Sequence, residues 1–421
     1  MSSLPVLVLN SGSSSIKFSI YEADTGREAD TGREAGTGRA AGLGQAAGDD
    51  RRERLYEGAV DGIGTDLGKF WIKDASGKKV VDQTPALPNR SVAFRLVADA
   101  LHSEFPTPKA IGHRVVSGGP TIEENQRITP ALIEEIDSYT AFAPLHTPIA
   151  VYIMREALRL FPGVPNFAVL DTWFHRTMPQ IARLMPIPAE YSAMGVRRYG
   201  YHGISYESIV YQLQPHVPGK LIVAHLGNGA SITAIRDGKC IDTSMGLTPT
   251  GGIISGTRTG DIDPGVLLFI LRKIAEKTVG ADAAADQLEA VASKKAGLLG
   301  VSELSNDMRD LREAIQNGNS KARLAVDKFV WTIQKWIGSF FAELNGLDML
   351  VFTGGIGEND IASRAEICTG LEALGIVLDP ERNNVRGKAV ISAENSRVTV
   401  RVIPPLEDLM IVNHVVRLLG E

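Results

Sequence analysis

Two short turns of small residues follow apolar runs. One is Asn10-Ser11-Gly12-Ser13-Ser14-Ser15 with Lys17 beyond it, and the other is His225-Leu226-Gly227-Asn228-Gly229-Ala230-Ser231. Turns of this kind let backbone N–H groups and hydroxyls surround phosphate oxygens, and Lys17 adds a positive charge. Either alone would also suit a solvated hairpin, but a triphosphate gripped by two lobes needs two. A third turn, Thr353-Gly354-Gly355-Ile356-Gly357-Glu358-Asn359, follows the apolar run Met349–Phe352. Its consecutive glycines permit close backbone approach to a flat ligand such as adenine, or simply a tight strand-to-helix turn.

Charged residues stand beside these turns. Arg114 lies inside an apolar run before Gly118-Gly119, and Arg258 lies in Ser255-Gly256-Thr257-Arg258-Thr259-Gly260-Asp261. An arginine in an apolar strand is costly unless an anion pairs with it. Both could clamp a transferring phosphoryl group, or both could serve structural salt bridges. Asp171 and Glu407 close two strand-like runs and would suit magnesium beside a nucleotide, or would cap the helical patterns that follow. His202 sits between Gly200 and Gly203, which allows a ligand close, although a lone histidine often serves the core. His146, in Pro144-Leu145-His146-Thr147-Pro148, precedes a helical pattern and could belong to its cap.

Several classes are excluded. The 421 residues carry 44 Lys+Arg against 49 Asp+Glu, a net charge of −5 without a basic run, so no nucleic-acid footprint is present. Cys240 and Cys368 form no C-x-x-C, which argues against a disulfide framework or a thiolate zinc site and for a reducing compartment. The segment Met1–Pro5 lacks a cationic start, Val6–Leu9 is too short for a signal core, and no apolar run approaches a membrane span. A cytoplasmic protein is expected. No G-x-x-x-x-G-K-[ST], G-x-S-x-G or H-E-x-x-H occurs, so any nucleotide is held by another cradle.

The elements that must position these residues alternate in an α/β pattern. Strand-like runs are Val6–Leu9, Ile16–Tyr21, Arg54–Val60, Ala110–Val116, Asn166–Leu170, Leu221–His225, Ile232–Ile235, Met349–Phe352 and Val398–Ile403. Helical patterns cover Ile149–Phe161, Ser205–Leu213, Pro264–Lys277, Ala322–Leu344 and Leu409–Leu419, the last with Asp408 as a candidate cap. The six-residue repeat EADTGR, EADTGR, EAGTGR and its Ala/Gly continuation cannot offset their ordering entropy, and read as an expanded, mobile insertion at 22–52. The rest is a divergent duplication. Strand, small-residue turn and alternating strand recur from Leu221, and Gly119 to Asp171 spans 52 residues, as does Gly355 to Glu407. Two similar α/β domains facing one cleft follow, with ligands at the carboxyl ends of the strands.

Taken together, LNSGSSSIKF, GHRVVSGG, APLHTP, DTWFH, RRYGYHG, HLGNGASI, DTSMGLTP, GTRTGDIDPG and FTGGIGEN resemble the acetate kinase family over nearly the whole chain outside the insertion. The resemblance implies two duplicated actin-like (ASKHA, ribonuclease H-like) domains with a central nucleotide cleft. The first domain would be 1–173 with 408–421, and the second 174–407, nucleotide-binding and dimer-forming. It implies reversible transfer of the ATP γ-phosphoryl group to acetate, giving acetyl phosphate and ADP, with Mg²⁺ or Mn²⁺, in a cytoplasmic homodimer that needs neither membrane nor nucleic acid. A propionate or butyrate kinase, or a silent nucleotide-binding relative, are the alternatives.

Carried over by resemblance, Asn10 and Glu407 would hold the metal and Lys17 the ATP phosphates. ATP would also meet His225, Leu226, Gly227, Asn228, Gly229, Asp307, Met308, Arg309, Gly355, Ile356, Gly357, Glu358 and Asn359. Arg114 would bind the substrate carboxylate, and Val116, Leu145, Tyr201 and Pro249 its methyl group. Asp171 matches the position called the catalytic acid/base, His202 and Arg258 the transition-state stabilisers, and His146 a residue near the phosphoryl group. A carboxylate acceptor titrates near ~4 and carries no proton at pH 7, so Asp171 is better read as positioning the metal and its waters. The chain departs from the family pattern at Ser117, at Thr248–Gly252, at Pro405-Leu406 and at Tyr201, where Phe is usual. Ser117 and Tyr201 leave substrate size open.

Overall fold

The computed structural model describes residues 3–12, 14–24, 52–144 and 146–420. Most of the repeat insertion (25–51), Ser13 and Leu145 therefore lie outside the described residues. The chain divides into two units: Met1–Trp173 with Tyr211–Pro215 and Leu406–Glu421, and Phe174–Val210 with His216–Pro405.

In the first unit the apolar runs become strands because their residues are buried on both faces, as central strands of a covered sheet must be. The strands are β1 (Ser3–Ser11), β2 (Ser15–Asp24), β3 (Arg52–Asp61), β4 (Lys69–Asp74), β5 (Lys79–Gln83), β6 (Ala110–Val115), β7 (Gln126–Arg127) and β8 (Asn166–Leu170). Their order is β5-β4-β3-β2-β1-β6-β8-β7. β1 to β5 form an antiparallel meander, whereas β1, β6 and β8 run parallel. Leu7 and Leu9 of β1 enter a core with Phe94, Val97 and Leu101 of the Arg90–Ser103 helix and Ile153 of the Thr147–Leu160 helix.

The second unit repeats the plan with β9 (Lys220–Leu226), β10 (Ala230–Arg236), β11 (Lys239–Thr243), β12 (Met349–Thr353), β13 (Ala389–Val390) and β14 (Thr399–Val402). The order is β11-β10-β9-β12-β14-β13, again an antiparallel hairpin beside parallel β9, β12 and β14. The sheet orders 3-2-1-6-8 and 11-10-9-12-14 are the duplication expected from the sequence. Here the Ser320–Leu344 helix supplies the core stripe, with Ala322, Val326, Phe329, Ile333, Ile337 and Phe340 buried at three- and four-residue spacing. Asn319 caps its start by accepting from the Ala322 N–H, and Asn345, at φ 56°, ends it in the left-handed region.

One expectation fails. The last helix is Glu407–Gly420, so Asp408 is not its cap but sits in its first turn. Its carboxylate instead accepts from Ser19 Oγ at 2.7 Å, across the sheet, and burial raises its pKa. Among the described residues no helix is long and apolar enough to cross a membrane.

Candidate active site

Because β1, β6 and β8 are parallel neighbours, their carboxyl ends share one edge of the first sheet. That edge brings Asn10 together with Arg114, 104 residues on, and Asp171, a further 57 residues on. Arg114 Nε donates to Asp171 Oδ1 at 3.1 Å and Oδ2 at 3.0 Å, and Nη2 donates to Oδ2 at 2.5 Å. Arg114 Nη1 donates to Asn10 Oδ1 at 3.3 Å. Asp171 is 1% exposed and Arg114 20%. Burial opposes the guanidinium charge, but attraction to Asp171 and then Glu407 outweighs it and raises the Arg114 pKa. Glu407 opens the final helix beside this cluster.

The other first-unit candidates are less tightly organised. Lys17 is exposed, opposite Asn10 in the β1–β2 register. His146 occupies the N-cap position of the Thr147–Leu160 helix, yet its side chain makes no capping bond. Val116 is half-buried just past β6. Ser117 is buried, and its hydroxyl accepts from the Gly119 N–H at 3.2 Å, so it closes the Ser-Gly-Gly turn.

In the second unit the turn after β9 gathers the remaining groups. A Cβ placed on Gly229 would stand 3.2 Å from Arg258 Nη1 and 3.4 Å from His202 Nε2, so both side chains border that turn. Gly256 N donates to Asn228 O at 2.9 Å, and a Cβ there would meet Asn228 Oδ1 at 1.9 Å, so glycine lets the Arg258 loop approach without displacing that side chain. Asn306 Nδ2 donates to Asn228 Oδ1 at 2.8 Å and ties in the segment holding Asp307, Met308 and Arg309. Asp307 caps the Met308–Gln316 helix and pairs with the exposed Arg309, whose hydrogen bond lowers the Asp307 pKa.

Gly355 to Asn359 form a single helical turn after β12, with Gly354 at φ 77° against the Leu226 backbone. Sequence reasoning passed over Arg364, which holds this turn. It is fully buried and donates to the carbonyls of Gly357 at 3.0 Å and Glu358 at 2.9 Å.

His202 itself has φ 59°, an unusual conformation for a non-glycine residue at a site. Its Nδ1 is 2.8 Å from Ser231 Oγ, and its ring stacks on His225 with centroids 4.3 Å apart. His225 Nδ1 is in turn 2.9 Å from Ser205 Oγ. Tyr201 is buried, and its phenol donates to the Leu247 carbonyl at 2.5 Å. Pro249, two residues on, accepts from Arg258 Nη1 at 3.1 Å. His175 Nε2 lies 3.0 Å from the Tyr201 carbonyl, and burial pushes its pKa down to about 4. Ser205, Tyr206 and Asn306 carried no signal of their own in the sequence, because the packing of the Gly203–Leu213 helix and of the loop before Met308 brings them to the turn.

A twice-repeated mixed sheet, with glycine-rich turns and charged groups at the ends of its parallel strands, defines a phosphotransferase of the duplicated actin-like class. The profile of the Acetokinase family matches residues 5–413, and the chain belongs to that family, whose phosphoryl acceptor is a carboxyl group. It is 39% identical over 425 residues to an acetate kinase of Geobacillus sp., covering 98% of each chain, and 37% identical to one of Phocaeicola vulgatus, covering 99% of this chain and 100% of that one. The crystal structure of Porphyromonas gingivalis acetate kinase superposes with a TM-score of 0.80 at 34% identity, covering 99% and 100%. A propionate kinase from Francisella tularensis superposes at 0.84 with 33% identity and the same coverage.

Proposed function

We propose that this protein transfers the γ-phosphoryl group of ATP reversibly to acetate, giving acetyl phosphate and ADP, by direct in-line displacement. The observation that carries the reading is the meeting of a cation, Arg258, and a ring nitrogen, His202 Nε2, at the Gly229 turn. An acetate oxygen forms the new bond to the γ-phosphorus as the bond to the β,γ-bridging oxygen breaks, and ADP leaves. Acetate is already ionised at pH 7, so no base is required. Both Asp171 oxygens are engaged by Arg114, which suits a positioning carboxylate rather than a proton acceptor. Arg114 orients the acceptor carboxylate, while Arg258 and His202 stabilise charge on the equatorial phosphoryl oxygens. Lys17, the His225–Gly229 turn, Asp307–Arg309 and Gly355–Asn359 hold ATP, and His146 lies near the phosphoryl group.

The donor set at the edge of the first sheet fits magnesium. Asn10, Asp171 and Glu407 offer hard oxygen atoms, and among the described residues no group of three or more His, Cys, Asp or Glu forms a protein cage. Mg²⁺ commonly takes one or two carboxylates and completes its shell with phosphate and water. In this reading Asn10 and Glu407 hold it and Asp171 orients its waters. When bound, the ion neutralises phosphate charge.

The substrate is acetate because the two departures near the acceptor are absorbed locally. The Tyr201 phenol is engaged by the Leu247 carbonyl and the Ser117 hydroxyl by the Gly119 N–H. Hydroxylamine trapping with ATP is expected to yield acetyl hydroxamate in a strictly Mg²⁺-dependent manner. An absence of product from any short-chain acid would leave a silent nucleotide binder. We place the reaction in the cytoplasm, which suits the buried, unpaired Cys240 and Cys368.

We also propose a homodimer. The Pro264–Ala275 helix is apolar throughout Val266–Leu271 and carries charge only at Arg272 and Lys273, yet none of its residues is buried, and Phe269 is 61% exposed. A helix of that composition is normally covered. Beside it a pocket of about 470 Å³ is lined by Ile262, Trp331 and Trp336 together with Asp261, Lys328 and Lys335. Opposite charges within one patch are self-complementary under a two-fold axis. Sedimentation is expected to show a dimer that Leu268→Asp with Phe269→Asp converts to a monomer. A monomeric parent chain would contradict this.

A further inference from the structure

His202 is held from behind by two buried hydroxyls. Ser231 Oγ lies 2.8 Å from His202 Nδ1, and Tyr206 OH lies 2.5 Å from the same Ser231 oxygen. Tyr206 and Ser231 are both fully buried. A buried hydroxyl must place its single hydrogen on an acceptor, and the phenol is the stronger donor of this short pair. Thr233 is a second side-chain partner of the phenol, and with its hydrogen on the short contact Tyr206 donates to Ser231. The Ser231 hydrogen then goes to its other neighbour, His202 Nδ1, which must accept. A ring whose Nδ1 accepts carries its proton on Nε2, the atom that borders the Gly229 turn.

The surroundings favour the same state. Groups that face the ring include the Arg258 guanidinium across the Gly229 turn, the His225 imidazole stacked on it, and the Tyr206–Ser231 pair. A nearby guanidinium disfavours a second positive charge. A neutral imidazole with its hydrogen on Nε2 can still donate to a phosphoryl oxygen.

We propose that Tyr206 and Ser231 are positioning residues that fix His202 as a neutral Nε2–H donor for the transferring phosphoryl group. This rests on the role given to His202 above, but the proton position can be read independently of turnover. The two hydroxyls act through the imidazole and touch no reacting atom. They also hold the ring in its left-handed backbone setting, where a free side chain would rotate.

The test is ¹⁵N imidazole NMR of the full-length protein near pH 7, with His202 assigned by a His202→Asn variant. The expected spectrum has a protonated Nε2 and an unprotonated Nδ1 for His202. A proton on Nδ1, or on both nitrogens, overturns the proposal. Ser231→Ala is expected to mix the two tautomers and lower kcat roughly 10- to 100-fold with KM for ATP little changed, the usual cost of losing an outer partner of a functional histidine. Ser231→Thr, which keeps the hydroxyl, should restore both. An Nε2–H signal that persists in Ser231→Ala also overturns it. If the expected tautomer is found in a chain that phosphorylates no carboxylate, the relay stands and the proposed function falls.

Discussion

Arg258→Ala is expected to lower kcat by roughly 10³-fold or more while KM for acetate moves only a few-fold. The asymmetry follows from where the charge lies. The guanidinium borders the Gly229 turn, and the phosphoryl group gathers negative charge on its equatorial oxygens only as it transfers. Its hydrogen bond to the Pro249 carbonyl is lost as well, and urea unfolding of the variant separates that effect on stability from the kinetic one. Lysine should recover only part of the rate, because an ammonium cannot present the planar fork to two oxygens. Steady-state kinetics in both directions check this, and a loss under tenfold would remove Arg258 from the role.

The second large effect is at Asp171. Asp171→Asn keeps the volume but removes the charge that faces Arg114, leaving a largely desolvated guanidinium without its bidentate partner. Breaking one side of such a pair costs about 3–5 kcal/mol, somewhat less where one partner is 20% exposed. Urea unfolding should show that loss. Activity should fall at least 10²-fold, because the freed Arg114 no longer holds its orientation and the waters of a bound Mg²⁺ would lose the acceptor proposed for them. Asp171→Asn with unchanged stability and activity within tenfold would mean that the pair is dispensable.

Much of this architecture was legible in the sequence because the parallel strands are central and buried. Val6–Leu9, Asn166–Leu170 and Met349–Phe352 read as apolar runs, and each lies within an observed strand. The matched 52-residue spacings anticipated the repeated sheet order. Elements with little burial escaped. β5 is mostly exposed, while β7 and β13 are two-residue edge strands, and such segments carry no periodic signal. The Arg90–Ser103 helix was passed over although its buried positions, Ala93, Phe94, Val97, Ala98 and Leu101, recur at the spacing of an amphipathic helix.

At the site, the boundary between legible and hidden falls between residue type and register. Arg114 stood out as a charge in an apolar strand, but its pairing with both Asp171 and Asn10 depends on which strands run side by side. Ser231 appeared only as a small residue in a turn. Its link to Tyr206 and His202 spans 25 and 29 residues and arises only once the Gly203–Leu213 helix packs against β10. Asp408 misled as a cap because the helix starts at Glu407, two residues before the expected Leu409, and its burial against Ser19 is a tertiary fact.

The most direct test of the account is a comparison of kcat/KM for acetate, propionate and butyrate with Mg-ATP at pH 7, by hydroxamate formation. The account predicts that acetate leads, with each added methylene costing about 1–3 kcal/mol in the transition state. Propionate or butyrate in front would contradict it and show that Ser117 and Tyr201 reshape the acceptor site after all.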